Sequence, residues 1–498
     1  MSDDNKNDKD KKNDLPKPTE QTAVTQHQII LNGRTYQYSV TTGTMLLKEE
    51  AEEEGKAQGE KAKATLFYVA YTVNKVDDDD VVDSQKRPLT FSFNGGPGSS
   101  SVWMHLGLLG PRRVAMDDED GRLGPPPYHL VDNEYSLLDK TDLVFIDPVS
   151  TGFSRAVPGE KPKEFHEFEK DIESVGDFIR LYTSKNGRWT SPKFLIGESY
   201  GTTRAGGLSG YLQKRHGMYF NGIMLISSVL NFQTLYFTPN NDLPYILFLP
   251  TYTATAFYHG QLDDSLQQDL QQTLAEAKQF ALNEYTLALM HGDSLPSPQR
   301  ADIVAKIARY TGLSPDYVER SNLRIRIDRF CKELRRNEGV TVGRLDSRYT
   351  GFDRDSVGES VEFDPSYAAI QGPYTATFND YVRRELAFES DLPYEILTDK
   401  VWPWNYKKFQ NSFVDVAETL RQAIATNPHL KVYVANGFYD LATPYLATEY
   451  TFSHLGLPPA QQQNISMGYF EAGHMMYLHL PSLAQLKDEL AEFVELAR

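Results

Sequence analysis

The stretch Phe194-Leu195-Ile196-Gly197-Glu198-Ser199-Tyr200-Gly201 decides how this chain folds. It is a short apolar run that leads directly into the pattern G-x-S-x-G, which is the sequence form of a nucleophile elbow. In such an elbow a strand turns into a helix so tightly that the serine stands exposed above the sheet. Glycines flank the serine because the turn leaves no room for side chains. The stretch therefore predicts that the Ser199 hydroxyl attacks a carbonyl carbon.

The surroundings of this motif distinguish it from a chance match. With glycine and serine each at about 7% of residues, G-x-S-x-G arises by chance in roughly one chain in six of this length. A near match, Gly358-Glu359-Ser360-Val361-Glu362, lacks the closing glycine and follows charged residues, so we interpret it as a surface loop. At Ser199, residues 193–196 are typical of a buried strand, and residues 205–212 can continue as a helix.

The composition limits the classes of protein to which the chain can belong. At 498 residues and 40% hydrophobic, it can bury a large core, as two or more domains or as one large α/β fold with insertions. The net charge of -17 argues against nucleic acid as a partner, because binding phosphates requires clustered Lys and Arg. The single cysteine, Cys331, excludes an internal disulfide framework, and we interpret it as a small apolar residue on a helix.

The sequence predicts no membrane span. No stretch approaches the roughly 18 apolar residues that a span needs, and the first residues lack the apolar segment of a secretory signal. Together with the absence of disulfides, this favours the cytoplasm. Removal of a signal peptide would instead mean a secreted or periplasmic protein.

The beginning of the chain changes character near residue 27. Residues 1–26 are rich in Asp, Lys, Asn and Pro and are predicted to be a disordered charged tail, with the catalytic domain in residues 27–498. Residues 29–41 and 64–73 alternate apolar and polar side chains, which predicts antiparallel strands at one edge of a sheet. The Glu- and Lys-rich residues 48–63 between them are predicted to be a solvated connection.

Five short apolar runs follow at wide spacing, at residues 89–93, 143–146, 194–196, 223–226 and 432–434, with a weaker sixth at 465–470. Such runs, separated by helical stretches, predict a mostly parallel central sheet with helices on both faces. The chain ends in a helical pattern with apolar residues at positions 483, 486, 490, 493 and 494, which predicts a helix packed on that sheet.

Residues 232–404 interrupt this alternation with helical or irregular segments dense in aromatic side chains. An insertion at this point lies above the strand ends from which Ser199 emerges. We expect it to be both a helical subdomain with its own small core and a lid that shapes the substrate pocket.

A reactive serine needs a base, and the base needs an acid that orients it. Asp440 follows the strand at residues 432–436, and His474 follows the strand at residues 465–470. Serine, acid and histidine in this order, each on a loop after a strand, are typical of the α/β-hydrolase fold. Each of these residues alone has a structural explanation, but their joint placement predicts a catalytic triad.

An oxyanion hole needs two backbone N–H groups, and one should belong to Tyr200, the residue after the nucleophile. The glycine-rich segment 94–101, which follows the strand at 89–93, can supply the other. A phosphate-binding loop is the competing interpretation, but the segment lacks the G-K-[ST] ending.

Several motifs resemble those of the serine carboxypeptidases. Asn94-Gly95-Gly96-Pro97-Gly98-Ser99-Ser100 is similar to their N-G-G-P-G-C-S-S loop, and Gly197-Glu198-Ser199-Tyr200-Gly201 matches their G-E-S-Y-[AG] elbow. Residues 147–154 are similar to their P-x-G-x-G-F-S segment, and Ala472-Gly473-His474-Met475 matches the A-G-H-M around the catalytic histidine. Asp440 falls on the second acid of their G-D-x-D loop. The resemblance implies an α/β-hydrolase fold with a helical insertion.

The resemblance also implies roles for individual residues. Ser199 would be the nucleophile, His474 the general acid and base, and Asp440 its orienting acid. The N–H groups of Gly96 and Tyr200 would form the oxyanion hole. Substrate binding would fall to Asn94, Gly95, Glu198 and Met475, with Asn94, Gly95 and Glu198 on the terminal carboxylate. Glu198 can meet a carboxylate comfortably only if one of the two is protonated. No metal and no cofactor are expected.

The chain departs from the family pattern where the terminal carboxylate is recognised. Ser92 stands where the family usually has Trp, and Leu108 falls on the position of a second Glu that shares a proton with the first. Arg204, shortly after the elbow, is an alternative carboxylate partner or a helix-surface arginine. The resemblance therefore implies an intact triad with only part of the carboxylate-binding site.

These observations predict a serine-type carboxypeptidase that cleaves the C-terminal peptide bond of its substrate. An esterase or acyltransferase with the same triad, acting on acyl esters, is the alternative within enzymes. A catalytically inactive binding protein is the alternative from another class, against which the complete triad argues.

Overall fold

The computed structural model describes residues 18–77, 80–116 and 124–498. Its strands are β1 Thr22–Leu31, β2 Arg34–Glu53, β3 Lys56–Val76, β4 Asp80–Val81, β5 Leu89–Phe93, β6 Arg112–Val114, β7 Leu130–Asp132, β8 Asp142–Ile146, β9 Arg155–Ala156, β10 Lys193–Ser199, β11 Gly222–Ser228, β12 Thr341–Val342, β13 Thr350–Gly351, β14 Lys431–Gly437 and β15 Ile465–Phe470. Its α-helices are α1 Val102–Met104, α2 Phe168–Lys185, α3 Tyr200–His216, α4 Leu243–Tyr258, α5 Leu270–Phe280, α6 Thr286–His291, α7 Ser297–Thr311, α8 Pro315–Arg320, α9 Ile327–Glu333, α10 Pro365–Arg384, α11 Ala417–Thr426, α12 Tyr445–Ser453, α13 Pro459–Gln462 and α14 Leu480–Ala497.

One large sheet organises the molecule. Within the described residues it has 11 strands, in the order β1-β2-β3-β8-β5-β10-β11-β14-β15, with β4 and β9 paired to β3. All neighbours from β8 to β15 are parallel, whereas the strands before them are antiparallel. The predicted mostly parallel sheet is therefore confirmed, and each of the six apolar runs lies in one of its strands.

Large apolar clusters cover both faces of this sheet. The inner strands β5, β8 and β11 are buried along their whole length, as continuous apolar runs in a parallel sheet require. Helices α2 and α3 pack on one face, and helix α14 packs on the other through Leu483, Leu486, Leu490, Phe493 and Val494. The predicted C-terminal helix is thereby confirmed.

The antiparallel edge differs from its prediction in two places. Residues 29–41 do not form one strand, because Asn32 and Gly33 have φ angles of 51° and 74° and turn the chain from β1 into β2. Residues 48–63 are not a loose connection, because the β2–β3 ladder continues to a second turn at Glu54 and Gly55, with φ angles of 53° and 78°. Two adjacent residues with positive φ suit the twist of a hairpin, and Asn-Gly is its strongest short signal.

The predicted tail also ends earlier than expected. Strand β1 begins at Thr22, inside the segment 1–26, because its residues pair with β2 from Thr22↔Gly43 onward. Residues 1–17 lie outside the described residues. The segment around Ser360 is an exposed bend, as predicted, and Cys331 is buried in an apolar cluster.

The insertion between β11 and β14 has two parts. Helices α4 to α9 surround a separate apolar cluster that runs from Tyr245 to Val342 and includes Leu441, and α4 and α5 also pack against Phe438 and helix α12. Helix α10, by contrast, belongs to the main cluster beside the sheet through Ile370, Tyr374 and Phe378. Residues 232–404 are therefore not a single lid, because only their first part has a core of its own. Among the described helices, none combines the length and apolar character required to cross a membrane.

Candidate active site

The elbow forms where strand β10 passes into helix α3. Ser199 has φ 60° and ψ -129°, a positive φ that a residue with a side chain adopts only when its surroundings enforce it. A Cβ on Gly197 would collide with the carbonyl oxygen of Gly201, so the two motif glycines allow the turn to close. Ser199 is the half-buried end of a strand whose preceding residues are fully buried.

Asp440 and His474 lie on the loops after β14 and β15, as the sequence predicts. Nδ1 of His474 lies 2.8 Å from Oδ2 of Asp440. Both side chains are buried, with Asp440 fully enclosed. The structure therefore supplies the acid–histidine half of a triad at the carboxyl ends of adjacent parallel strands.

Asp440 is held as an acceptor by its own loop. Its Oδ1 accepts from the N–H of Ala442 at 2.8 Å and from that of Thr443 at 2.9 Å, and its Oδ2 accepts from the Thr443 hydroxyl at 2.6 Å. These three donors hold the carboxylate in one orientation. It can therefore fix the imidazole of His474 with Nε2 directed away from the acid.

The charge of Asp440 also acts on the pKa of His474. Burial alone would lower that pKa, but the charge of Asp440 and the hydrogen bond to it outweigh burial and raise the pKa above its usual value. A base with a raised pKa takes a proton from a serine hydroxyl more readily.

The glycine-rich loop packs directly against the elbow. A Cβ on Gly95 would collide with the backbone N of Tyr200 and approach the carbonyl oxygen of Glu198 to 2.8 Å. Gly96 has φ 104°, which a residue with a side chain rarely adopts. The backbone of the glycine-rich loop therefore lies against the backbone at Tyr200, although the two are far apart in the sequence. An oxyanion hole needs two N–H donors close together in this way.

A cavity of about 360 Å³ opens over the elbow, and most of the predicted site residues line it. They are Asn94, Gly95, Gly96, Glu198, Ser199, His474 and Met475. Asp440 lies behind His474, and the side chain of Tyr200 is buried against Trp404 instead. The remaining walls come from helix α10, from the segment after it, and from the loop between β12 and β13, which includes Arg344.

Glu198 is buried beside Ser199. Its Oε1 accepts a hydrogen bond from Nδ2 of Asn94 at 2.9 Å, and the side chain of Tyr477 also interacts with the carboxyl group. Burial raises the pKa of Glu198 to about 7, against the opposing effect of His474. Such a carboxyl carries a proton in neutral or mildly acidic solution and can then donate it to an anion.

Two tyrosines that the sequence analysis missed complete the surroundings of Glu198. Tyr374 of helix α10 and Tyr477, which follows His474, are fully buried and interact electrostatically with Glu198. Their rings fill the space beside Gly107, where a Cβ would collide with both. Leu108 is buried in the apolar core. Tyr477 lies three residues after His474 in the sequence, whereas Tyr374 comes from a distant segment.

Arg204 is neither a substrate ligand nor a surface residue, so both sequence interpretations are wrong. It is 1% exposed, its Nε donates to Oδ2 of Asp171 at 2.9 Å, and its Nη1 donates to the carbonyl of Asn94 at 2.6 Å. The guanidinium also lies over the rings of Phe93 and Tyr200. Arg204 therefore supports the glycine-rich loop from behind.

The loop of residues 343–349 between β12 and β13, here called the clamp loop, bridges the two catalytic loops. The carbonyl of Leu345 accepts from the N–H of His474 at 2.6 Å, and Oδ2 of Asp346 accepts from the N–H of Gly473 at 3.2 Å. The carbonyl of Arg344 accepts from the N–H of Leu441 at 3.1 Å. No sequence signal marked this loop, because its contacts are made by backbone groups distant in the chain.

The parallel sheet, the elbow at Ser199 and the acid and histidine on the following loops define an α/β-hydrolase. A model of the serine carboxypeptidase family matches residues 53–476, and the chain belongs to that family.

Individual relatives match a smaller part of the chain. The pheromone-processing carboxypeptidase KEX1 of Saccharomyces cerevisiae is 35% identical over 162 residues, which are 31% of this chain and 20% of that protein. The match therefore spans about a fifth of that relative's length.

Solved structures share the arrangement only loosely. Proline iminopeptidase from Mycobacterium smegmatis is 11% identical, with a TM-score of 0.34 over 95% of this chain and 98% of that one. An aryl esterase from Burkholderia cenocepacia, described as putative, is 13% identical, with a TM-score of 0.35 over 91% of this chain and 99% of that one.

Proposed function

We propose that this protein is a serine-type carboxypeptidase that removes the C-terminal residue of a peptide through an acyl-enzyme on Ser199. The observation that carries this proposal is the buried Glu198, adjacent to the nucleophile, bonded to Asn94 and with a pKa raised to about 7. A protonated carboxyl at this point suits a substrate that ends in a carboxylate. Family membership supports the same activity.

In the proposed acylation, Oγ of Ser199 attacks the carbonyl carbon of the last peptide bond while Nε2 of His474 takes the hydroxyl proton. Asp440 stabilises the imidazolium that forms. The N–H groups of Gly96 and Tyr200 bind the oxyanion. His474 then gives its proton to the leaving amine as the C–N bond breaks, and the C-terminal amino acid departs.

Deacylation repeats the sequence with water. His474 takes a proton from a water molecule, whose oxygen attacks the ester carbon. The bond to Ser199 Oγ breaks, and His474 returns the proton to the serine. Water is the one co-reactant, and the steps balance with it and the side chains of Ser199 and His474.

An esterase or acyltransferase with the same triad is the second candidate. It is favoured by Leu108, an apolar residue in the core at the position where the family has a second acid, which leaves Glu198 without a carboxylate partner. Under this alternative the substrate has no terminal carboxylate, and Glu198 is only a buried neutral acid.

The deciding experiment compares three substrates with the same acyl part: a peptide with a free C-terminus, its amide and a small acyl ester. We expect kcat/KM for the free peptide to exceed that for the amide by about 100-fold or more, since an ionic substrate contact is lost. Equal rates for peptide and amide would contradict the carboxypeptidase, and rapid turnover of the ester alone would establish the alternative.

A further inference from the structure

Arg344 is a cation in the wall of the catalytic cavity that the proposed mechanism does not use. It is exposed, and it lines the same cavity as Ser199 and His474. The nearby Arg348 of the clamp loop pairs with Asp346 at 2.7 Å. The guanidinium of Arg344, in contrast, forms no ion pair with any carboxylate in the part of the chain that the structure describes.

The backbone under Arg344 is fixed on both sides. Its N–H donates to Oδ1 of Asp364 at 3.1 Å, and its carbonyl accepts from the N–H of Leu441 at 3.1 Å. The next carbonyl, of Leu345, accepts from the N–H of His474. Arg344 therefore lies on a loop whose backbone is fixed beside His474. An anion bound to Arg344 would be held close to that histidine.

None of the acids that line the cavity forms an ion pair with this cation among the described residues. Glu198 is neutral below a pH of about 7. Asp364 accepts from the backbone N–H groups of Arg344, Leu345 and Ser366 and from the Ser366 hydroxyl. Asp399 is exposed on a different segment, near Tyr367.

The charge of Arg344 also bears on catalysis. It acts to lower the pKa of His474, so an uncompensated guanidinium opposes the imidazolium that forms during acylation. An anion bound to Arg344 would remove this opposition at the moment when the substrate is in place. Arginine is suited to that role because its planar fork matches a carboxylate.

We propose that Arg344 binds a carboxylate of the peptide substrate, namely an acidic side chain next to the bond that is cleaved. The C-terminal carboxylate of the peptide is the alternative ligand for Arg344. In the proposed function, however, Asn94, Gly95 and Glu198 already bind that carboxylate. This inference rests on the proposed function and names its substrate class: peptides with Glu or Asp at one of their last two positions.

The test uses peptide pairs that differ only by Glu or Gln, at the last or the second-last position. We expect the wild type to prefer Glu at one position by about tenfold or more, a preference that Arg344→Gln reduces to within about twofold. Arg344→Lys should keep part of it, and Arg344→Glu should favour Lys in the substrate. Arg320→Gln, the same charge change on an exposed lid helix outside the cavity, should leave the preference intact.

Binding of the same peptides to Ser199→Ala protein separates this inference from the proposed function. If the wild type cleaves no peptide, the proposal that it is a carboxypeptidase is wrong. The inference about Arg344 would still be supported if Arg344→Gln removed the preference for Glu in peptide binding. Loss of affinity for the free C-terminus relative to its amide would assign Arg344 to the terminal carboxylate. Equal changes for all peptides, charged or neutral, would overturn the inference.

Discussion

At the scale of single residues, the proposed substrate class depends most on Glu198. A buried carboxyl can stay neutral near pH 7, and Asn94 fixes its orientation through one oxygen. The other groups that act on it are His474 and Asp440 of the triad and the hydroxyls of Tyr374 and Tyr477. Glu198 has no second acid with which to share a proton. It lies instead beside two tyrosines whose raised pKa values keep them protonated near pH 7.

The raised pKa of Glu198 predicts a pH dependence that differs between substrates. For a peptide, kcat/KM should fall as the pH rises through about 7, because Glu198 then loses the proton that it donates to the terminal carboxylate. For an acyl ester without a carboxylate, this fall should be absent. Both substrates should lose activity at low pH, where His474 becomes protonated.

Glu198→Gln is the matched variant for this prediction, because the amide keeps an N–H donor and cannot ionise. We expect its peptide profile to stay level above pH 7, which steady-state kinetics would measure. A fall at the same pH in the variant, or with the ester in the wild type, would assign that ionisation to another group.

The buried pair of Arg204 and Asp171 predicts an effect on stability. Arg204→Met leaves an uncompensated carboxylate in the core and should lower the free energy of unfolding by about 3–5 kcal/mol. The double variant Arg204→Met with Asp171→Leu should recover most of this loss. Urea denaturation measures both, and a loss below about 1 kcal/mol in the single variant would show that the pair contributes no more than a surface pair.

At the scale of elements, the clamp loop connects the helical insertion to the loops of Asp440 and His474. It lies between β12 and β13, after helix α9, and its backbone binds both of these loops. The insertion thus contributes to the position of the base as well as to the walls of the cavity.

Removing the carboxylate of Asp346 should therefore lower kcat without a matching change in KM. Asp346→Ala loses the bond to the N–H of Gly473 and frees Arg348, so we expect kcat to fall by about 10- to 100-fold as His474 shifts. Glu338→Ala, which breaks an exposed lid ion pair with Arg335, is the control. A proportional rise in KM with unchanged kcat would place Asp346 in substrate binding instead.

At the scale of the whole molecule, local patterns predicted the sheet, the elbow and the order of the triad, because each depends on a short apolar run followed by one loop. Apolar alternation does not reveal the hairpin turns at Asn32-Gly33 and Glu54-Gly55, because the alternation continues across the first turn even though Asn-Gly is the strongest turn signal. The positions of Tyr374, Arg204 and Arg344 could not be predicted, because contacts between distant segments set them.

The central claim is that Ser199 acts as the nucleophile of the triad, and intact-mass spectrometry with a fluorophosphonate probe tests it most directly. We expect the wild type to gain one adduct, which maps to Ser199, and Ser199→Ala to gain none. His474→Ala should react slower by about 10⁴-fold, as loss of a triad member requires. An unlabelled wild type, or an adduct that persists in Ser199→Ala, would contradict the claim.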